Sequence, residues 1–72
     1  MVFSQVLTGQ VVEFDEQVGW GVLQAEDGRR LGFHCTQIAD GSRTVGVGAV
    51  VAFATRAGRN GAWEATGLRP PD

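Results

Sequence analysis

The chain has no lysine. Its six cations are arginines, at positions 29, 30, 43, 56, 59 and 69, and only Arg29 and Arg30 are adjacent. Eight acidic residues outweigh them and leave a formal net charge of −2. A polyanion is held mainly by clustered cations that displace its counterions, so this composition excludes a tight phosphate clamp and implies a shallow salt dependence. Any affinity for nucleic acid must then come largely from stacking and from arginine's forked donors. Cysteine is almost missing as well. Cys35 stands alone, which excludes an internal disulfide and suits a reducing, cytoplasmic setting. No apolar run is long enough to span a bilayer, and Met1-Val2-Phe3-Ser4 lacks the basic flank of a secretory signal. A cytoplasmic protein with no membrane partner is expected. His34 is the only histidine. Without a second imidazole, and with no further ligands at metal spacing, the chain offers neither a catalytic nor a metal site, and no cofactor is expected.

What the chain does have is glycine, eleven of them, dispersed over 72 residues. That pattern opposes long helices and fits short strands joined by turns and bulges. One domain, 1–72, is expected. A chain of this length buries only roughly 60% of the surface its unfolded form exposes, so a closed architecture is favoured. The first strand holds Val6, Leu7, Val11 and Val12, with a bulge or bend at Gly9, and Phe14 to Gln17 opens a loop. A second strand is predicted over 19–25 and a third over 30–34, joined by the turn signal Glu26-Asp27-Gly28. Thr36 caps a helical turn that Ile38 pins and Gly41 ends. A fourth strand follows over 49–54, a turn over 56–61, and a fifth strand over about 62–68. The barrel covers about 6–69, and a short proline-bearing tail follows.

Two segments carry the functional signal. In Gly19-Trp20-Gly21-Val22-Leu23 and Leu31-Gly32-Phe33-His34 side chains alternate between faces. Paired as a hairpin, they place Trp20 and His34 together on the outward side. An exposed indole beside an exposed imidazole is a surface on which bases stack. The glycines beside Trp20 leave its ring faces open.

The order of these residues resembles the bacterial cold-shock domain, a five-stranded antiparallel OB-fold barrel. Gly9-Gln10-Val11 is similar to that family's opening Gly-Thr-Val, and Phe14-Asp15 to its Phe-Asn. Gly19-Trp20-Gly21-Val22-Leu23 resembles its first ribonucleoprotein motif, Gly-Phe-Gly-Phe-Ile, and Leu31-Gly32-Phe33-His34 its second, Val-Phe-Val-His. Gly48, Val51 and Phe53 resemble its fourth strand, and Ala65 and Leu68 its closing strand. The resemblance implies an all-β barrel with Val11, Leu23, Leu31, Phe33, Ile38, Val51 and Phe53 inside. It also implies single-stranded RNA or DNA as the partner, and contacts from Trp20, His34, Val22 and Phe14. Read from the residues themselves, Arg43 and Arg59 in loops are expected to steer the backbone, and Trp63 to add a second ring.

The departures from that pattern fall on the binding face. Glu13 stands where the family places tryptophan, Val12 and Val18 where it places lysine, Val22 and Gly32 where it places phenylalanine, and Cys35 where an aromatic follows the histidine. Each base–aromatic stack contributes roughly 1–3 kcal/mol. Loss of two costs on the order of 2–6 kcal/mol, about one to four decades of affinity. Weak, largely sequence-tolerant binding is therefore expected. The alternative is a barrel whose face, with Val12, Val18, Trp20 and Val22 beside Glu13, serves a protein partner or a homodimer.

Overall fold

Alternation along each strand sorts the side chains of this chain into an inside and an outside. The computed structural model describes residues 6–58 and 62–71. Five strands, β1 (Leu7–Asp15), β2 (Trp20–Ala25), β3 (Arg30–His34), β4 (Val50–Ala57) and β5 (Trp63–Arg69), close into a barrel in the order β1-β2-β3-β5-β4. A 3₁₀ turn, Cys35–Gln37, follows β3. All seven expected core residues are buried, joined by Ala25, Ala52, Ala65 and Leu68. No helix among the described residues is long and apolar enough to cross a membrane.

The barrel is not antiparallel throughout, as the sequence led us to expect. β3 and β5 pair in parallel through Gly32 and Glu64, while the other four neighbouring pairs are antiparallel. The reason is arithmetic. Directions cannot alternate all the way round a ring with an odd number of strands, so one junction must be parallel.

The interior is organised around Phe33, which is fully buried. Phe14 stacks on it, with ring centroids 6.0 Å apart and planes 10° from parallel. This stack extends β1. The sequence placed Phe14 to Gln17 in a loop, yet Phe14 pairs with Gly21 and Asp15 with Trp20. The bulge lies between Val11 and Glu13, not at Gly9. Gly9 instead pairs with both Ala25 and Val51, where β1 passes from β2 to β4. A side-chain carbon there would stand 2.7 Å from the Gln24 carbonyl oxygen. β4 also outruns the expected 49–54: Arg56 pairs with Glu64 and Ala57 with Trp63.

The turns follow local chemistry. Gly28 takes φ 91°, in the left-handed region that favours glycine. Asp27 Oδ1 accepts from the Arg29 backbone N–H at 3.0 Å, and Oδ2 meets Arg29 Nε at 2.7 Å. The first of these bonds, helped by the guanidinium, holds the Asp27 carboxyl below its ordinary pKa of 3.8. The 3₁₀ turn is capped by His34, not by Thr36: the imidazole accepts from the Thr36 backbone N–H.

Two outcomes are expected. A methyl at Gly21 would overlap the Phe33 ring and lie 2.9 Å from the Glu13 carbonyl oxygen. Gly21→Ala should therefore cost about 1–3 kcal/mol in urea unfolding. That is a large part of the roughly 4–11 kcal/mol available to a domain of this size. Gly46→Ala, where nothing lies within 4 Å, should stay within about 0.5 kcal/mol of the parent. A depressed carboxyl stabilises the fold above its unfolded-state pKa and loses that effect as pH falls through the folded value. Asp27→Asn should therefore flatten the stability–pH curve below pH 3.8 and leave its slope near neutrality unchanged.

Candidate nucleic-acid interface

The ladder register puts one row of outward side chains across the barrel wall. Trp20 stands directly opposite His34, and Val22 opposite Gly32. On one side the row continues to Glu13, the partner of Val22, and Asp15, the partner of Trp20. On the other it continues from Gly32 to Glu64 and from Glu64 to Arg56. Trp20 is 39% exposed, and His34 is exposed.

The indole does not stand upright from β2. It lies across β3 over Gly32, where a side-chain carbon would overlap its six-membered ring. The small residue at 32 is what lets the indole lie down and present a face to solvent. His34 Nδ1 lies 2.9 Å from Thr36 Oγ1 and accepts from the Thr36 backbone N–H at 3.3 Å. A neutral imidazole that accepts at Nδ1 carries its proton on Nε2. In that tautomer Nε2 is the ring's donor. Cys35 Sγ lies 4.0 Å from the same Nδ1. Strand alternation would separate these neighbours, but the chain leaves β3 at His34 and turns. Among the described residues, no group of three or more His, Cys, Asp or Glu gathers in a metal-binding arrangement.

Two hollows meet at Trp20. The first is floored by Phe14, Gly21 and Val22 and rimmed by Glu13, Asp15, Glu16, Val18 and Val47. Asp15 is committed locally, since its Oδ1 accepts from the backbone N–H groups of Gln17 at 3.0 Å and Val18 at 3.2 Å. Glu16 accepts from Thr44 Oγ1 at 3.1 Å, which ties the β3–β4 connection to this rim. The second hollow is lined by Trp20, His34, Arg56, Ala57, Gly58 and Glu64.

Of the residues singled out in the sequence, Trp20 and His34 come together, and Val22 lies beside Trp20 in the first hollow. Phe14 faces inward and is half-buried against Phe33, so only part of it reaches that hollow. Trp63 is 57% exposed on β5 and stands outside both hollows. By alternation it points away from the side that Glu64 occupies. Arg43 is exposed on the β3–β4 connection with a left-handed φ of 61°, also outside both hollows. Arg59 lies outside the described residues. Glu64 was missed in the sequence. Its signal was alternation against buried Ala65, readable once β5 is known to pair with Arg56 of β4.

Residues 7–70 match the family model described as the 'Cold-shock' DNA-binding domain. The chain belongs to the cold-shock domain family. No curated protein matches it. Of the positions that depart from the resemblance, Glu13, Val22 and Gly32 lie in the outward row, whereas Val18 is exposed between β1 and β2 and Cys35 packs against the core. Glu13 faces outward beside Val22.

The resting place of the indole can be tested. Gly32→Ala puts a methyl where the Trp20 ring now lies, and a side-chain ring can swing aside where backbone could not. In a Trp63→Phe background, where only Trp20 emits, the variant should keep its β-sheet circular dichroism and shift its emission maximum to the red. An unchanged maximum would show that the ring does not rest on residue 32.

Proposed function

We propose that this cold-shock domain captures unpaired RNA or DNA reversibly, weakly and with little sequence preference. One observation carries the reading: an open indole and an exposed imidazole stand opposite each other on adjoining strands of a barrel of a nucleic-acid-binding family. A base stacks on Trp20, His34 Nε2 donates to a neighbouring base or phosphate, and Val22 adds apolar contact. Arg43 and Arg59 steer the backbone, and Arg56 supplies a cation within the second hollow. Trp63, on the other side of β5, contributes where the strand leaves this face. The mechanism is binding alone, with no covalent step, in a cytoplasmic setting.

The low affinity follows from the acids. Glu13 and Glu16 rim the first hollow and repel phosphate. Few cations means few counterions released, so the salt slope is shallow.

Titration of mixed single-stranded oligonucleotides at low salt, followed by Trp20 emission in Trp63→Phe, should show saturable quenching. Trp20→Ala, followed by anisotropy of a labelled strand, should weaken binding by about 1–3 kcal/mol, roughly five- to 150-fold. Absence of binding at hundreds of micromolar would overturn the reading.

A second reading draws on the first hollow, where Val18 is 68% and Val47 66% exposed beside an acidic rim. That surface suits a protein partner or a second copy of the chain better than it suits phosphate. Concentration-dependent sedimentation separates the two readings.

A further inference from the structure

The second hollow holds a carboxylate, Glu64, to which strand capture assigns no part. Arg56 and Glu64 are direct partners across β4 and β5, with Arg56 Nη2 3.6 Å from Glu64 Oε1. That distance exceeds a hydrogen bond, so the ion pair is loose and leaves Oε1 able to accept. The two side chains differ in freedom: Arg56 is 53% exposed and Glu64 only 23%. The Glu64 carboxylate rests in space that exists because residue 58 is glycine. A side-chain carbon at Gly58 would overlap Oε2 and stand 2.6 Å from the carboxyl carbon. The carboxylate is thus the more enclosed of the two groups and the guanidinium the more exposed.

Glu64 also pairs with Gly32, the residue over which the Trp20 indole lies. A base that enters the hollow against the indole meets the carboxylate at its edge. An ionised carboxylate offers two acceptors and no donor. With Arg56 beside it, the wall reads donor, acceptor, acceptor. Bases answer this pattern differently. Guanine alone presents two adjacent N–H donors, N1–H and the N2 amino group, next to the O6 acceptor. Uracil and thymine have one N–H between two carbonyl oxygens. Adenine and cytosine have one amino group beside a bare ring nitrogen, whose lone pair would face the second carboxylate oxygen. Cytosine could be matched only if the arginine supplied two donors and one oxygen stayed unpaired, and an acceptor left unpaired beneath a bound base is costly.

We propose that the hollow between Trp20 and Glu64 is a guanine site. Glu64 accepts from N1–H and N2–H₂, Arg56 donates to O6, and the indole supports the ring. The inference rests on the strand-capture reading and adds a base preference at one position of an otherwise tolerant face.

The test compares uridine heptamers that carry guanine, inosine, adenine, cytosine or uracil at the central position, under one salt condition, with the unaltered chain. Inosine keeps N1–H and lacks the N2 amino group. The guanine strand should bind about ten- to a hundredfold more tightly than the all-uridine strand, the span expected for a bidentate base contact, with inosine in between. Glu64→Gln replaces one acceptor by a donor and should bring the guanine and uridine strands to a common affinity. Gly58→Ala displaces the carboxylate without removing it and should narrow the same ratio. The base series on the unaltered chain stands whatever the variants do to folding. Equal affinity for all five strands, or tightest binding to cytosine, overturns the guanine site and leaves strand capture standing. A guanine preference that survives Glu64→Gln overturns the assigned role of the carboxylate. Failure of every strand to bind overturns both readings together.

Discussion

The arrangement depends on one crowded place inside the barrel. Phe33 is fully enclosed, Phe14 stacks on it, and the absence of a side chain at Gly21 makes room for its ring. Three strands are committed by that contact. Phe14 keeps β1 paired as far as Asp15, Gly21 keeps β2 close over the ring, and Phe33 fixes which side of β3 faces inward. Strand periodicity is two, so fixing one residue inward sends its neighbours outward. His34 and Gly32 are exposed to the face because Phe33 is not.

From that fixed point the outward row follows by pairing alone. Trp20 meets His34 across the hairpin, and the parallel junction adds Glu64 and, beyond it, Arg56. The chain has kept a cold-shock barrel while altering the chemistry of its surface. An indole lies flat over a glycine. Acids and one arginine stand in the same outward row. This is a surface suited to a few directed hydrogen bonds around one good stacking face, with little general attraction for phosphate.

Much of this was legible in the residues, for local reasons. The hairpin from Trp20 to His34 is set by strict alternation on both arms and by Asp27-Gly28 between them, so its face assignment needs no distant information. The seven apolar core positions are readable in the same way. The errors fall where distant pairing overrides local chemistry. Phe14-Asp15-Glu16-Gln17 has the composition of a loop, but its first two residues are held in β1 by partners on β2. Arg56-Ala57-Gly58 has turn character, but its first two residues are held in β4 by Glu64 and Trp63. Glu64 itself was invisible as a site residue, because nothing near it in sequence says that it will stand beside Gly32. His34 took over the cap from Thr36 because its ring reaches a backbone N–H two residues on, a contact that depends on where the strand ends.

The parallel seam has a further consequence. One wall of the second hollow, with Trp20 and His34, belongs to the β2–β3 hairpin, and the other, with Arg56 and Glu64, belongs to β4–β5. The two meet through the Gly32–Glu64 pair and the Ile38–Leu68 bridge. The hollow's aperture is therefore governed by the girth of the whole cylinder and not by any single ladder. Atoms added or removed at an enclosed position such as Ala65, which touches no solvent, would be felt outside as a wider or narrower gap between ring and carboxylate.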